Sequence, residues 1–333
     1  MSPTVAAVSV VSALAVAVAL DLAVGEPPSR HHPVAWFGSI VGVFDRSWSQ
    51  PRLVGVAIAI GLPIAAAGLA GGAVAVAGGV AVEAGGGVLL GILVAAVLLS
   101  TVVSLRMLLD VTADVVDQTE TEPAAARESV RALVGRDAST LSPADLRSAA
   151  VESAAENLAD GFVAPLAGFA VGATVGLAVA PALALPLGVA TAVWVKAVNT
   201  LDSMLGYRSK PVGWASARLD DAVMFLPARA SAASLAAATG SIAPLRRGRS
   251  WAREPASPNS GWPMATAAAA LGVRLEKPGN YVLNPDAEAP SAADARDAVR
   301  LVGVAGGIAA AVVAGWLVAV GWALATPEVA PWP

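Results

Sequence analysis

The chain has 333 residues, 56% of them hydrophobic and only 14% charged, with a formal net charge of −4. Soluble domains carry about 25% charged residues, so this composition reads as an integral membrane protein. The acidic balance argues against nucleic acid as a partner. There is no cysteine, which excludes disulfides, thiolate metal sites and thiol nucleophiles.

Val5 to Val24 is an apolar run long enough to cross a bilayer. It lacks a basic flank and a good cleavage site, so it reads as a retained span and not as a signal peptide. Asp21 falls in its last turn, where a helix C-terminus disfavours an anion. The following loop carries Arg30, His31, His32, Pro33, Arg46 and Arg52, with a short amphipathic piece from Trp36 to Trp48. Leu53 to Val82 and Gly86 to Leu105 are two further apolar runs, and Glu83-Ala-Gly-Gly-Gly87 between them reads as a tight turn.

From Arg106 to Asp160 the chain is polar. Leu108, Val111, Val115 and Val116 keep helical spacing, while Asp110, Asp114 and Asp117 take another face. A second helix is expected over Ala124 to Val134. Ser142-Pro143-Ala-Asp145 then reads as an N-cap with proline at the first helical position. The helix it opens carries Glu152, Glu156 and Asp160 at i, i+4 and i+8, one row of carboxylates on one face. Each like-charged pair costs the helix about a few tenths of a kcal/mol, so a divalent cation or a ring of Arg and Lys is the natural neutraliser. The bland alternative is a solvated face.

Phe162 to Val195 is apolar and fits two short spans, with Pro181 and Pro186 where the turn should fall. Ala222 to Ile242 is interrupted by Pro227 and Arg229 and is not expected to span. Pro244 to Arg300 is hydrophilic and basic. Leu301 to Leu324 is a last span, with Trp316, Trp322 and Trp332 as interface anchors. The expected fold is therefore all-α, a polytopic membrane helical bundle of about six spans in one domain, 1–333. The spans are 5–24, 53–82, 86–105, 162–180, 183–199 and 301–324. All 21 Lys and Arg then lie on one side. The positive-inside rule makes 25–52, 106–161 and 200–300 cytoplasmic, in a multi-pass protein of the inner cell membrane with both termini outside.

A second constellation follows the fifth span. Lys196, Asn199, Thr200 and Ser203 form one polar helix face, and Asp202, Arg208, Arg218, Asp220, Asp221 and Arg229 come after it. Carboxylates suit Mg²⁺ and Lys or Arg suit phosphate oxygens, a mixture that fits a Mg-nucleotide site without a P-loop. The alternative is a positive-inside loop whose acids balance its bases. Ser257-Pro-Asn259-Ser260-Gly261-Trp262-Pro263 is ordinary turn chemistry taken alone.

Several pieces occur in order: Asp21, Gly25-Glu26-Pro27, His32-Pro33-Val34, Glu152-Ser153, Glu156-Asn157, Asp160-Gly161 and Ala164-Pro165. Lys196, Asn199-Thr200, Asp202-Ser203, Gly206-Tyr207, Ala217-Arg218, Asp220-Asp221, Pro227-Ala228-Arg229 and Ser257-Pro258-Asn259-Ser260-Gly261 continue the series. Together, from residue 21 to about 284, they resemble the adenosylcobinamide-phosphate synthase family of cobalamin biosynthesis. The resemblance implies ATP- and Mg²⁺-dependent amide formation. The corrinoid substrate adenosylcobyric acid would be joined to (R)-1-amino-2-propanol or its O-phosphate, with other enzymes of the pathway as candidate partners.

On that reading Glu152, Glu156, Asp160 and Asp220 or Asp221 hold Mg²⁺. Lys196, Arg218 and Arg229 hold phosphate, and Asp202 or His32 is the general base. Asn157, Asn199, Thr200, Ser203, Arg208, Asn259, Ser260 and Gly261 complete the substrate and nucleotide contacts. Two departures stand out: Met264 where an acid is expected, and Glu276-Lys277-Pro278-Gly279-Asn280-Tyr281 where a Gly-Gly pair is expected. A non-enzymatic transporter or sensor on the same scaffold is the rival class.

Overall fold

The computed structural model describes residues 1–83, 88–130 and 139–326. In chain order the helices are α1 (Pro3–Val24), α2 (Pro33–Gly42), α3 (Pro51–Glu83), α4 (Leu89–Ser100), α5 (Leu105–Thr121), α6 (Pro123–Ser129) and α7 (Pro143–Leu158). They continue with α8 (Ala164–Val179), α9 (Ala184–Leu205), α10 (Trp214–Val223), α11 (Phe225–Ala238), α12 (Ala243–Gly248) and α13 (Gly261–Leu271). A hairpin of β1 (Leu275–Lys277) and β2 (Tyr281–Leu283) precedes α14 (Ala292–Ala325).

Among the described residues six helical stretches are long and apolar enough to cross a membrane: Pro3–Val24, Pro51–Gly79, Leu89–Thr121, Pro143–Val179, Pro181–Leu205 and Ala292–Ala325. Each expected span overlaps one of them, with 53–82, 86–105 and 162–180 running one to three residues past its end, and the chain is a multi-pass, all-α membrane protein. Large apolar side chains such as Val8, Leu69, Val97 and Val171 are exposed on these helices, as a lipid solvent requires. Helix α11, inside the doubtful 222–242 stretch, has 14 residues. At 1.5 Å per residue that is about 21 Å, short of a hydrocarbon core of about 30 Å. The expected 83–87 turn and Trp332 fall largely or wholly outside the described residues. So do the last four residues, 131–134, of the helix expected over 124–134.

The fold divides into two compact units: residues 1–103, 165–220 and 310–333 form one, and 104–164 and 221–309 the other. In the first, α3 packs on α9 and α4, and α1 packs on α4 and α9. Val41, Ile58, Leu201, Leu205 and Val212 are its core cluster at one end, with Phe37 and Trp48 against it. Helix α1 opens with Ser2 accepting from the Val5 N–H at 3.3 Å and Pro3 at the first helical position.

Glycine sets the closest approach in this unit. Gly168, Gly172 and Gly176 recur every four residues along α8, against α9. A Cβ on Gly168 would lie 2.9 Å from Val195, one on Gly172 would strike the Leu187 carbonyl, and one on Gly176 would lie 2.5 Å from Ala184 Cα. Such a stripe lets backbones touch where no hydrophobic force between helices exists.

In the second unit α5, α6 and α7 share a core of Val115, Ala126, Val130, Leu141, Leu146, Ala149 and Ala150. The expected cap is present as a full capping box: Ser142 accepts from the Asp145 N–H and Asp145 accepts from the Ser142 N–H. Helices α11 and α12 pack on α13, and β1 lies against α7. The hairpin register pairs Leu275 with Leu283 and Lys277 with Tyr281.

Candidate functional site

The acidic row occupies the last turns of α7 and the turn after it. Residues 159–163 form a π turn between α7 and α8, in which the Ala164 N–H reaches back five residues to the Ala159 carbonyl. Pro165 accounts for the irregularity. It stands four residues after Gly161 and has no N–H to give to the Gly161 carbonyl. That carbonyl accepts instead from the Ser104 N–H at 3.0 Å. The contact is close, since a Cβ on Gly161 would lie 2.8 Å from the Ser104 hydroxyl. π turns inside α-helices are frequent at functional sites, and this one carries Asp160.

Glu152 is buried, and both of its oxygens accept hydrogen bonds. Ser148 Oγ donates to Oε1 at 2.9 Å and Tyr281 Oη donates to Oε2 at 2.6 Å. Ser148 in turn accepts from the Glu276 N–H at 2.8 Å, so the hairpin is tied to the carboxylate twice. The tyrosine hydroxyl also lies 3.7 Å from the sulfur of fully buried Met264, the residue standing where an acid was expected.

The apolar half of this stretch begins at Phe162, which leaves Glu156 outside the membrane-spanning part. Its carboxyl is pushed up from the usual 4.5 to about 7, first by desolvation, then by the charges of Asp160 and Glu152, while Lys277 opposes the shift. The three acids therefore do act on one another as their spacing predicts. Sequence reasoning missed Ser148, Lys277 and Tyr281. Ser148 extends the row by one more four-residue step, and Tyr281 is one of only two tyrosines in the chain. Asn157, assigned to substrate, is turned along its own helix and donates to Ser153 O and Oγ, both at 2.9 Å.

A second group in the same unit centres on Arg229. Its guanidinium lies 3.7 Å from the Phe225 ring and 4.9 Å from the Trp262 ring, and desolvation lowers its pKa. Nη1 donates to Asn259 Oδ1 at 2.8 Å and to the Phe225 carbonyl at 2.7 Å. Asn259 Nδ2 donates to the Asp221 carbonyl at 2.8 Å. Ser257 Oγ accepts from the N–H groups of Asn259 and Ser260, closing the turn that leads into α13. Gly261 is required there, because a Cβ would strike the Ala252 carbonyl. Arg229, Asn259 and the backbone of Asp221 are thus one hydrogen-bonded group.

In the first unit, Lys196, Thr200 and Thr101 line an otherwise apolar cavity of about 430 Å³, together with Trp36, Phe37, Leu69 and Leu98 among others. The hydroxyls of Thr200 and Ser203 donate to the Lys196 and Asn199 carbonyls of their own helix, at 2.8 and 2.9 Å. Asn199 is buried. Asp202 is half-buried at the end of α9, its carboxylate against Gly206. Arg208 and Arg218 are exposed. His32 caps α2: Nδ1 accepts from the Val34 N–H at 3.2 Å, and Nε2 lies 3.3 Å from Glu26. Asp220 and Asp221 are neighbours on α10, about 100° apart around the helix, so they do not share a face.

Among the described residues no group of three or more His, Asp or Glu is arranged to hold a metal ion. A magnesium ion needs less, usually one or two carboxylates completed by phosphate oxygens and water. Glu156 and Asp160 fit that demand: desolvation, then the charges of Asp160 and Glu152, raise the Glu156 carboxyl, and a cation beside it would relieve both. Glu152 fits it less well, because each of its oxygens already accepts a hydrogen bond.

The protein family described as CobD/Cbib protein matches residues 14–305. The probable cobalamin biosynthesis protein CobD of Methanothrix thermoacetophila is 34% identical over 301 residues, which cover 88% of this chain and 92% of that protein. The cobalamin biosynthesis protein CobD of Klebsiella pneumoniae subsp. pneumoniae is 36% identical over 324 residues, 90% and 96% of the two chains. The probable cobalamin biosynthesis protein CobD of Thermococcus kodakarensis is 35% identical over 318 residues, 93% and 94%. No solved structure matches. The likeness runs through the acidic row, the polar end of α9 and the Asn259 turn alike, and the chain belongs to the CobD/Cbib protein family.

Proposed function

We propose that this chain works in cobalamin biosynthesis as an ATP-dependent ligase, forming the amide between the propionate of adenosylcobyric acid and (R)-1-amino-2-propanol or its O-phosphate. The observation that carries the reading is the carboxylate row of α7, highly charged and partly desolvated, in a chain matched by this family over residues 14–305. ATP supplies the activation that a carboxylate lacks, passing its terminal phosphoryl group to the propionate to give an acyl phosphate. The amine attacks the acyl carbon, the C–N bond forms, phosphate leaves, and the amine gives up a proton.

The protein's part is positioning and charge. Glu156 and Asp160 are the pair assigned to Mg²⁺, and Ser148 and Tyr281 fix Glu152 beside them. Lys196, Arg208 and Arg218 are assigned to phosphate oxygens, Lys as a compact point charge and Arg as a planar fork. Arg229 and Asn259 hold each other, which gives them a positioning role around the 257–261 turn. Asp202 and His32 are the two candidate bases. His32 Nδ1 accepts a hydrogen bond in capping α2, and its Nε2 lies 3.3 Å from Glu26. The membrane is the inner cell membrane, with the polar segments cytoplasmic.

The test is direct: purified protein, adenosylcobyric acid, Mg-ATP and, in turn, (R)-1-amino-2-propanol or its O-phosphate, with the product followed by mass. Nucleotide-dependent amide formation is expected. Its absence with both amines would leave a transporter or sensor as the reading.

A further inference from the structure

Beyond the proposed reaction, and sharing none of the residues assigned to it, the second unit holds a cavity of about 520 Å³ lined by arginine. Arg246, Arg249 and Arg253 line it with Ile242, Leu245 and Trp262. Three guanidinium groups brought to one cavity repel one another unless an anion lies between them. From residue 242 to 262 the only acidic side chain is Glu254, and it is not part of the lining. None of the three arginines forms an ion pair among the described residues.

The platform beneath them is held tightly. A Cβ on Gly248 would lie 2.8 Å from the backbone of Ala265, so α12 rests directly on α13. Gly261 meets the Ala252 carbonyl in the same way. Trp262 is fixed from another direction by the Arg229 guanidinium. The cavity thus joins several planar donors to an apolar floor on a rigid base, a combination that lowers the ordering cost of binding.

We propose that this cavity binds a phosphate-bearing ligand. The guanidiniums of Arg246, Arg249 and Arg253 take the phosphate oxygens, and Trp262, Leu245 and Ile242 take the adjoining organic part. Arginine matches phosphate through paired, charge-assisted N–H donors, which lysine does not reproduce. The phosphate belongs either to an anionic lipid headgroup or to a soluble phosphorylated molecule.

Equilibrium binding to the full-length, delipidated protein in detergent tests this without turnover, so its outcome is independent of the ligase reading. The probes are short-chain phosphatidylglycerol and inorganic pyrophosphate. Wild type is expected to bind at least one, and R246Q/R249Q/R253Q to bind it about tenfold more weakly or worse. All three side chains are exposed, so an unchanged melting transition is expected to show that the triple variant folds. R106Q/R300Q removes exposed arginines elsewhere in the unit and is expected to bind as wild type does. Binding of phosphatidylglycerol alone identifies the lipid headgroup as the source; binding of pyrophosphate identifies a soluble phosphate. The proposal is overturned if wild type binds neither probe, if the triple variant binds like wild type, or if R106Q/R300Q loses as much.

Discussion

The hydroxyl of Tyr281 donates to Oε2 of Glu152 at 2.6 Å, tying the β-hairpin to α7 across 129 positions of chain. Replacing it with Tyr281→Phe leaves a buried carboxylate oxygen without that donor. A hydrogen bond to a charged acceptor is worth about 1.5–3 kcal/mol, so the variant should melt clearly below wild type. Ser148→Ala should act in the same direction through Oε1. Melting of either variant at the wild-type temperature would show that the hairpin does not hold the carboxylate.

The Glu156 carboxyl makes stability depend on pH in a direction opposite to that of a salt-bridged acid. Its folded pKa is raised from 4.5 to about 7, so the folded state holds its proton more tightly than the unfolded chain. Stability is therefore lost as pH rises between those two values, and the penalty is complete above the upper one. Glu156→Gln removes the penalty. The variant should be more stable than wild type by ~3 kcal/mol at about pH 8, and the gap should close as pH falls toward 4.5. Millimolar Mg²⁺ should narrow the gap at high pH by stabilising wild type alone. Thermal melts across pH with and without the ion check both points, and a gap independent of pH would contradict the first.

Lys196 and Arg218 should fail differently when exchanged for one another's residue type. Lys196→Arg keeps the charge but misplaces it, and for a group on a transferring phosphoryl the proposed activity should fall about 10²-fold or more. Arg218→Lys should lose paired donation and mainly raise the ATP KM. Steady-state assays with ATP varied separate the two. Unchanged kcat and KM in both variants would remove phosphate from these residues.

Because the chain has no cysteine, single introduced thiols report topology cleanly. Cysteines at Ser139 and Ser257 should be shielded from impermeant reagents in intact cells, and one at Gly86 should react. Labelling of Ser257 from outside would reverse the proposed orientation of that segment.

Packing of α8 on α9 offers a test independent of chemistry. Gly172→Ala places a methyl group against the Leu187 carbonyl, where the helices must separate to admit it. A loss of about 1–3 kcal/mol is expected, read as a lower melting temperature. Gly78→Ala, whose Cβ would meet nothing within 4 Å, is the matched control.

The spans were legible because an apolar run of bilayer length has few other uses, and the α7 cap because Ser142, Pro143 and Asp145 are each the preferred residue at their position. The carboxylate row was legible from spacing alone. What sits opposite it was not. Strands of three residues with mixed polarity, Leu275–Lys277 and Tyr281–Leu283, have no period long enough to register, so Lys277 and Tyr281 stood out only as part of a departure from the family pattern. The π turn was equally hidden, although Pro165 four residues after Gly161 contains its cause. Hydroxyls at Thr200 and Ser203 looked like a ligand face, yet both are satisfied by their own helix, a local option that side-chain periodicity does not reveal.

The glycine contacts between α8 and α9 also bear on how the chain assembles. The two helices are joined only by the short turn at Pro181–Leu183, so their whole interface is made between residues close in sequence. Closing such a hairpin sacrifices little chain entropy, and contacts of this kind form early. The α8–α9 hairpin is therefore the natural first module of its unit, complete before α14 has been synthesised. Its carriage of Lys196 and Asp202 means that these side chains are set on their helix before the last span arrives.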